Sequence, residues 1–412
     1  MPASSLSLTK RLSFYETVFV NLFSQMPKGK LQVQLHDGRE FIFGEGNEVR
    51  ANIRITNSSF FTKCALYGDI GFAESYIDGD WHTDSISNVI TWFIINLNHN
   101  PALTGKGLRK YASNFFRIVN KIYHITRKNT VEGSRKNISE HYDLGNEFYR
   151  LFLDSSMTYS SGIFNKPDAT LEEAQTEKYD RLCRNLKLKP SDHVLEIGSG
   201  WGGFAVHAVK NYGCKITTIT ISEEQYKYAK QRFTDDKLDD RVQILLQDYR
   251  KVDGKYDKIV SIEMLEAVGH QYLPVFFKKC NELLKENGSM GLQVITSHDK
   301  RYAEFRKDVD FIQKHIFPGS QTPSLAAIHS AVNKVSDLGL FDVKDIGLHY
   351  AKTLRMWFDS FNGKINEVKK LGMDERFIRK WNYYLQYCEA IFKQRHISVV
   401  QLIYTRPNNL SI

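Results

Sequence analysis

The stretch Val194-Leu195-Glu196-Ile197-Gly198-Ser199-Gly200-Trp201-Gly202-Gly203-Phe204 decides the fold. An apolar run, VLEIG, ends in a glycine cluster and passes straight into a helix-compatible segment, FAVHAVKNYG. This is the first strand, turn and helix of an open α/β sheet. The turn falls at the carboxyl edge of the sheet, where such folds bind ligands. Gly198 and Gly200 permit φ > 0 and let backbone approach a ligand closely. The run also reads as GxGxxG, but dinucleotide, phosphate and nucleoside sites all use such a turn. A tight turn without a ligand would look the same. The missing GK[ST] argues against a P-loop.

Downstream, strands alternate with helices. Lys215 to Ile221 is a β-branched second strand. Ser222 opens the next helix as N-cap, with Gln225 placed to complete a capping box. Val242 to Leu246, Tyr256 to Ile262 and Gly288 to Thr296 are further strands, and Leu171 to Leu188 and Leu273 to Leu284 are helices. The alternation implies a parallel, doubly wound sheet. A nicotinamide dinucleotide site would show an acid ending strand two. Here that strand ends Thr220-Ile221-Ser222. Glu196 before the turn and Asp248-Tyr249 after strand three would instead meet a nucleoside carrying an amino-acid or sulfonium group, as in S-adenosylmethionine.

The chain has 412 residues, a formal net charge of +9 and 42% hydrophobic residues. One large or two medium domains are expected, and the charge favours an anionic partner such as a phospholipid surface. The five cysteines are scattered without a CxxC pair, which speaks against a disulfide framework or zinc site and fits a reducing compartment. No metal site is expected. No apolar run reaches the ~18 residues of a spanning helix, and Val89 to Leu97 reads as a buried helix. Residues 1–100 look like a small mixed domain: LQVQLHDGREFIFG is a hairpin around Asp37-Gly38, VRANIRIT a further strand, and Ser59 to Tyr67 and Gly71 to Ile77 helices. Residues 101–136 are strongly basic, with Lys106, Arg109, Lys110, Arg117 and Lys121 among interleaved aromatics. They read as an amphipathic basic helix and linker, able either to lie on an anionic membrane or to act as a solvated connector. No nucleic-acid-binding motif accompanies them.

From about residue 137 onward the pattern becomes βαβ-like. His141-Tyr142-Asp143-Leu144-Gly145-Asn146 is followed by Phe148, Tyr149, Leu151 and Phe152, then by Met157-Thr158-Tyr159-Ser160-Ser161-Gly162. Aromatic and hydroxyl residues this dense can form a lid over a cofactor, or pack an amphipathic helix and its loop. With HYDLGNEFYRLFLD, MTYSS, VLEIGSGWGG, TITISEEQ, LQDYR, IVSIEMLEAVG, DFIQKHIFPG, HYAKTLRMW and YYLQYCEAIF…ISVVQLIY in order, the chain resembles the cyclopropane-fatty-acid synthase family of S-adenosylmethionine-dependent lipid methyltransferases. GDIGFAESYIDGDW resembles the smaller N-terminal domain of its longer, phospholipid-acting members. The resemblance implies a Rossmann-like class I S-adenosylmethionine-dependent methyltransferase fold over 137–412, with a lid and an acyl-channel insertion at His298 to Pro323, and a mixed α+β lipid-handling domain over 1–100.

By position, the resemblance implies that Tyr159 and Ser160 cover the cofactor and that Gly198 and Gly200 form its turn. Thr220 and Gln225 would contact its methionine or ribose part, and Asp248-Tyr249 its adenine edge. Glu266 matches the acidic member of a polar cage beside the sulfonium methyl. In cyclopropanating members this cage holds bicarbonate as general base, on a Cys, a Glu, a His, an Ile backbone and a Tyr. Glu266, Ile295 and Tyr350 match that pattern. Ser161 stands at the Cys position and Gln293 at the His position. Both can still donate hydrogen bonds. Gln293 cannot carry the charge of a His, which weakens the case for bicarbonate and makes Glu266 an alternative base.

The implied reaction adds the S-adenosylmethionine methyl to a double bond of an unsaturated phospholipid acyl chain. Proton loss then gives a cyclopropane or a methylene, the latter a precursor of a methyl branch. A base within reach and a dry site are required. The implied setting is the cytoplasmic, inner face of a membrane, with the protein peripheral to it; a homodimer is compatible with this. Two alternatives stand beside this reading: methyl transfer to a non-lipid acceptor such as an amine, and a non-catalytic lipid-binding relative.

Overall fold

The computed structural model describes residues 11–99, 144–306 and 309–412. The basic segment 101–136 and His141 lie outside the described residues. The chain forms two compact units.

The unit that carries the glycine turn is built on seven strands: β5 (His193–Ile197), β6 (Lys215–Thr220), β7 (Val242–Leu246), β8 (Tyr256–Ile262), β9 (Leu284–Ser297), β10 (Gly339–Asp345) and β11 (Ile397–Thr405). Their order is β10-β11-β9-β8-β5-β6-β7. The strands from β5 to β9 are parallel, as the alternation with helices requires. The sheet is nevertheless mixed, because β11 runs antiparallel to β9 and β10 antiparallel to β11. ISVVQLIY gives no sign of this. β11 is buried along most of its length between two neighbours, so it shows a near-continuous apolar run that carries no direction.

Successive side chains leave a strand on opposite faces. Leu195 and Ile197 join a core with Phe276, Phe277 and Leu292, whereas Val194 joins Leu182, Phe204 and Ile216 on the other face. Helix Leu171–Asn185 lies on this second face, started by a Thr170–Glu173 capping box. The capping box read at Ser222 is only half formed. Ser222 Oγ accepts the Gln225 N–H at 3.3 Å, but the Gln225 side chain turns away and its Oε1 accepts the Thr220 hydroxyl at 2.9 Å.

The other unit holds a second sheet in the order β2-β1-β3-β4, made of β1 (Lys30–Gln34), β2 (Glu40–Phe43), β3 (Arg50–Ile55) and β4 (Trp81–His82). β1 and β2 form the hairpin around Asp37-Gly38, and β3 lies parallel to β1. Helix Ser59–Ile77 joins the two helical stretches through a kink at Gly68. Residues 309–316 and 369–394 also belong to this unit, although the sequence places them past the boundary at residue 137. Helix Glu375–Lys393 buries Ile378, Trp381, Leu385 and Phe392, and packs against Ile86–Asn96 and Ser59–Ile77. Its Arg379 donates to the carbonyls of Tyr76 at 2.6 Å and Trp81 at 2.8 Å. Lys314 and His315 both donate to Glu74. Burial pushes the Glu74 carboxyl up, but these two donors prevail and hold it at about 2. The insertion at His298 to Pro323 is therefore divided: Phe311 meets Tyr383 edge-on in this unit, while Phe317 stays with the seven-stranded one.

Candidate active site

The glycine turn closes as its residues require. Gly198 has φ 97° and Gly200 φ 48°, both in the region that favours glycine. The N–H groups of Gly198 and Ser199 donate to the Ile219 carbonyl at 3.0 and 2.9 Å, which pins the turn to β6. A Cβ on Gly198 would press on Met264 at 3.3 Å. Thr220 and Gln225 sit beside it, buried and bonded to each other. Asp248 is engaged by Arg250, whose Nε and Nη2 donate to it at 2.8 and 2.7 Å. Burial raises the Asp248 carboxyl, but Arg250 holds it below the usual carboxylate range. Tyr249 packs edge-on against Phe276. Glu196 shares the Val194 face of β5 and so points toward the helix layer. It accepts the Thr218 hydroxyl, and burial pushes it up to about 8.

Over the turn stands a group of aromatic rings. Tyr159 lies 5.4 Å from Tyr149, 5.1 Å from Trp357 and 6.2 Å from Phe317, measured between ring centroids. Tyr149 in turn meets Trp201 at 5.1 Å, and Trp201 Nε1 donates to Asn146 at 2.7 Å. Ser160 is held from helix Leu171–Asn185: its carbonyl accepts Gln175 Nε2 at 2.9 Å and its hydroxyl accepts Lys178 Nζ at 2.6 Å. His349 Nδ1 accepts the Phe164 N–H at 3.1 Å, a packing role.

The cage residues converge, but on a group the sequence reading passed over. Glu263 follows β8 directly, and its Oε1 accepts the Ser161 N–H at 2.9 Å and Gln293 Nε2 at 2.8 Å. The Tyr350 side chain also hydrogen-bonds it. Burial raises the Glu263 carboxyl, opposed by the Gln293 amide, the Ser161 N–H, the Lys178 charge and Tyr350. Three of the five cage positions therefore serve a carboxylate of the chain itself. Ser161 contributes its backbone, since its hydroxyl turns to the Gly162 carbonyl at 3.0 Å. Gln293 is aimed by Gln401, whose Nε2 donates to Gln293 Oε1 at 2.9 Å, and Arg181 holds Gln401 in turn at 2.8 Å. Glu263 keeps this place at φ 48°, a conformation that costs a non-glycine residue about 1–2 kcal/mol. Ile295 gives its N–H to Glu266 Oε1. Glu266 Oε2 is buried with no hydrogen-bond partner among the described residues. Burial, followed by the neighbouring Glu263 charge, pushes Glu266 up to about 8. The clue to Glu263 lay in the sequence: two altered cage positions, and one extra acid at the carboxyl end of β8.

Residues 129–402 match the model of the mycolic acid cyclopropane synthetase family. The chain belongs to this family. Relatives cover up to 86% of its length. A cyclopropane-fatty-acyl-phospholipid synthase of Escherichia coli is 34% identical, covering 86% of this chain and 88% of that protein. A tuberculostearic acid methyltransferase of Mycobacterium tuberculosis is 36% identical, covering 81% and 78%. Among solved structures, a mycolic acid cyclopropane synthase complexed with SAH and CTAB superposes with a TM-score of 0.62 at 31% identity, over 66% of this chain and 98% of that one.

Membership makes the protein an S-adenosylmethionine-dependent C-methyltransferase, and the residues present fit that cofactor. The turn at Gly198 and Gly200 offers backbone at close approach, Thr220 and Gln225 a polar edge, and the rings around Tyr159 faces that attract a cation. The unpartnered Glu266 oxygen and the raised Glu266 carboxyl suit a neighbouring positive charge, which the sulfonium carries.

Proposed function

We propose that the enzyme methylates a double bond in an unsaturated phospholipid acyl chain, and that Glu263 accepts the proton the chain then loses. The observation that carries this reading is the Glu263 carboxylate seated on Ser161, Gln293 and Tyr350. When bound, S-adenosylmethionine supplies an electrophilic methyl on a sulfonium. Turn residues Gly198 and Gly200, with Thr220 and Gln225, hold the cofactor. Tyr159 and Ser160 cover it, and Asp248-Tyr249 takes its adenine edge, with the Asp248 side chain fixed by Arg250. Glu266, with one oxygen fixed by Ile295 and the other free, balances the positive charge.

An alkene that gains a methyl cation reaches neutrality only by releasing a proton. A carboxylate is the base that can take it, and one held by two N–H donors within hydrogen-bond distance is oriented for the task. Tyr149, Tyr159, Trp201 and Trp357 surround the site with ring faces, which stabilise a cation and exclude water that would trap it. The relatives named above act on lipid chains by their own names, which supports the acyl acceptor. The +9 net charge supports an anionic bilayer as the surface from which the substrate is drawn. Among the described residues no helix is long and apolar enough to cross a membrane, which suits a protein that works peripherally.

Gas chromatography–mass spectrometry of acyl chains from a host expressing the full chain tests this. The expected result is a cyclopropane, methylene or methyl-branched chain one carbon heavier than its precursor. Unchanged acyl chains alongside methylated amines would overturn it.

A further inference from the structure

Lys178 lies within helix Leu171–Asn185, and its side chain is wholly shielded from solvent. Lysines are almost never buried in this way unless a charge answers them. Nζ meets a hydroxyl, Ser160 Oγ at 2.6 Å, and the face of the Tyr179 ring at 4.4 Å. Three carboxylates act on its charge: Glu263 first, then Asp154 and Glu196.

Its position links both halves of the Glu263 cradle. On one side Lys178 fixes Ser160, and the next residue, Ser161, gives its N–H to Glu263 at 2.9 Å. On the other, the Lys178 carbonyl accepts Gln401 Nε2 at 3.1 Å, the same amide that aims Gln293 at Glu263. The groups that face Glu263 come from several elements. Its own turn brings Glu266, which the Glu263 charge pushes toward its neutral form. β9 brings the neutral Gln293 amide, helix Gly347–Gly363 brings the Tyr350 hydroxyl, and the lid loop brings the Ser161 N–H. The ammonium comes from Lys178.

We propose that Lys178 is a positioning residue for the reaction, its buried ammonium fixing the Ser160-Ser161 segment and keeping the Glu263 carboxylate ionised and able to accept a proton. This rests on the assignment of Glu263 as base. Burial pulls the lysine down to about 7 and pushes the glutamate up, while each group's charge opposes the shift of the other. Removing the ammonium therefore leaves burial, which favours the neutral form of Glu263, opposed by the Gln293, Ser161 and Tyr350 hydrogen bonds without a neighbouring positive charge.

The test uses the full-length enzyme with vesicles of an unsaturated anionic phospholipid. Lys178→Gln keeps an N–H donor near Ser160 without the charge, and Lys178→Met removes both. In both variants the acid limb of the kcat profile is expected to move up by about one pH unit or more, since the base loses its stabilising charge. Calorimetry is expected to show S-adenosylmethionine binding within a few-fold of the parent. A Lys178→Gln profile that superposes on the parent, or a loss of rate with an unmoved acid limb, overturns the proposal. An infrared difference spectrum of the parent against Glu263→Gln at pH 7 supplies a readout that needs no Lys178 variant. An ionised carboxylate band is expected, and a protonated carbonyl band overturns the proposal. A parent that never methylates acyl chains refutes the base assignment itself, whereas an active parent with an unmoved Lys178→Gln profile refutes Lys178 alone.

Discussion

Gln293 turns its amide nitrogen to within 2.8 Å of Glu263 Oε1 while its own oxygen accepts Gln401 at 2.9 Å. The amide is thus polarised in one sense, with its donor end committed to an anion. A histidine there could hold a free anion by carrying charge. A glutamine fits where the chain supplies the anion itself, and Glu263 supplies it. Ser161 completes the exchange by offering backbone rather than side chain.

The first consequence is independence from bicarbonate. Removing dissolved carbonate is expected to leave the methylation rate of the parent enzyme unchanged, because its anion seat is already filled. Glu263→Gly empties the seat in a conformation that glycine adopts without strain. That variant is expected to lose about 10²-fold or more in kcat, the usual worth of a general base, and to regain part of it when bicarbonate is added. Stimulation of the parent enzyme by bicarbonate would contradict this assignment.

Gln401 touches Glu263 through Gln293 and is nonetheless expected to matter. Gln401→Met leaves Gln293 Oε1 and the Lys178 carbonyl without their buried donor, and Arg181 with Asp342 in place of both partners. Leaving a buried polar group unsatisfied costs about 1–3 kcal/mol, to be read as a lower denaturation midpoint. With nothing to fix its sense, the Gln293 amide is free to flip, so kcat is expected to fall more than the S-adenosylmethionine affinity. Equal losses in both would indicate general loosening instead.

How much of this was legible in the sequence follows from how local each signal is. The turn at Gly198 and the strands β5 to β8 are local patterns, and the structure reproduces them nearly residue for residue. The antiparallel direction of β11 is not a local signal, because a buried strand has the same composition in either direction, and β10 is an exposed edge strand with no apolar run to mark it. The face of helix Glu375–Lys393 was readable as apolar, but the elements that cover it lie about 300 residues away, as the Arg379 to Tyr76 bond shows. Glu263 and Lys178 were hidden for a related reason. An acid after a strand and a lysine in a helix both read as solvated, and only the convergence of residues 161, 178, 263, 293 and 350 makes them a site. The aligned cage pattern named where to look, yet it had no place for an acid it does not contain.

The contribution of Glu266 to stability is expected to fall as pH rises above about 4.5. Glu266 sits at about 8 in the folded protein against an ordinary 4.5, so its favourable contribution is fully present below the lower value and is lost as pH passes through the upper one. Glu196 behaves in the same sense. Lys178, pulled down to about 7, works oppositely: its penalty grows as pH falls toward that value and is complete below it. From pH 5 to 7 the two carboxylates are opposed by His193, His207, His349 and His396, which burial holds below the usual imidazole range and whose penalty is relieved as pH rises. Across that window the melting temperature of Glu266→Gln is expected to gain on that of the parent as pH rises, because the variant lacks the falling Glu266 contribution. The same linkage makes S-adenosylmethionine bind more tightly with rising pH, since its sulfonium favours ionised Glu266. Equal slopes for the two proteins would remove Glu266 from the account.

Trp357 offers the sharpest test of the ring cluster. Its ring lies 5.1 Å from Tyr159 and 6.0 Å from Tyr350, and its Nε1 has no hydrogen-bond partner among the described residues. Trp357→Phe therefore sacrifices no hydrogen bond, while Trp357→Leu also removes the aromatic face. A desolvated cation over a ring gains about 0.5–2 kcal/mol, or roughly 2- to 30-fold in affinity. S-Adenosylhomocysteine has the same shape as the cofactor apart from the methyl, and lacks the sulfonium charge. The ratio of its affinity to that of S-adenosylmethionine isolates the cation from packing. That ratio is expected to move against S-adenosylmethionine in Trp357→Leu and to stay near the parent value in Trp357→Phe. A Leu variant that weakens both ligands equally would assign Trp357 to packing alone.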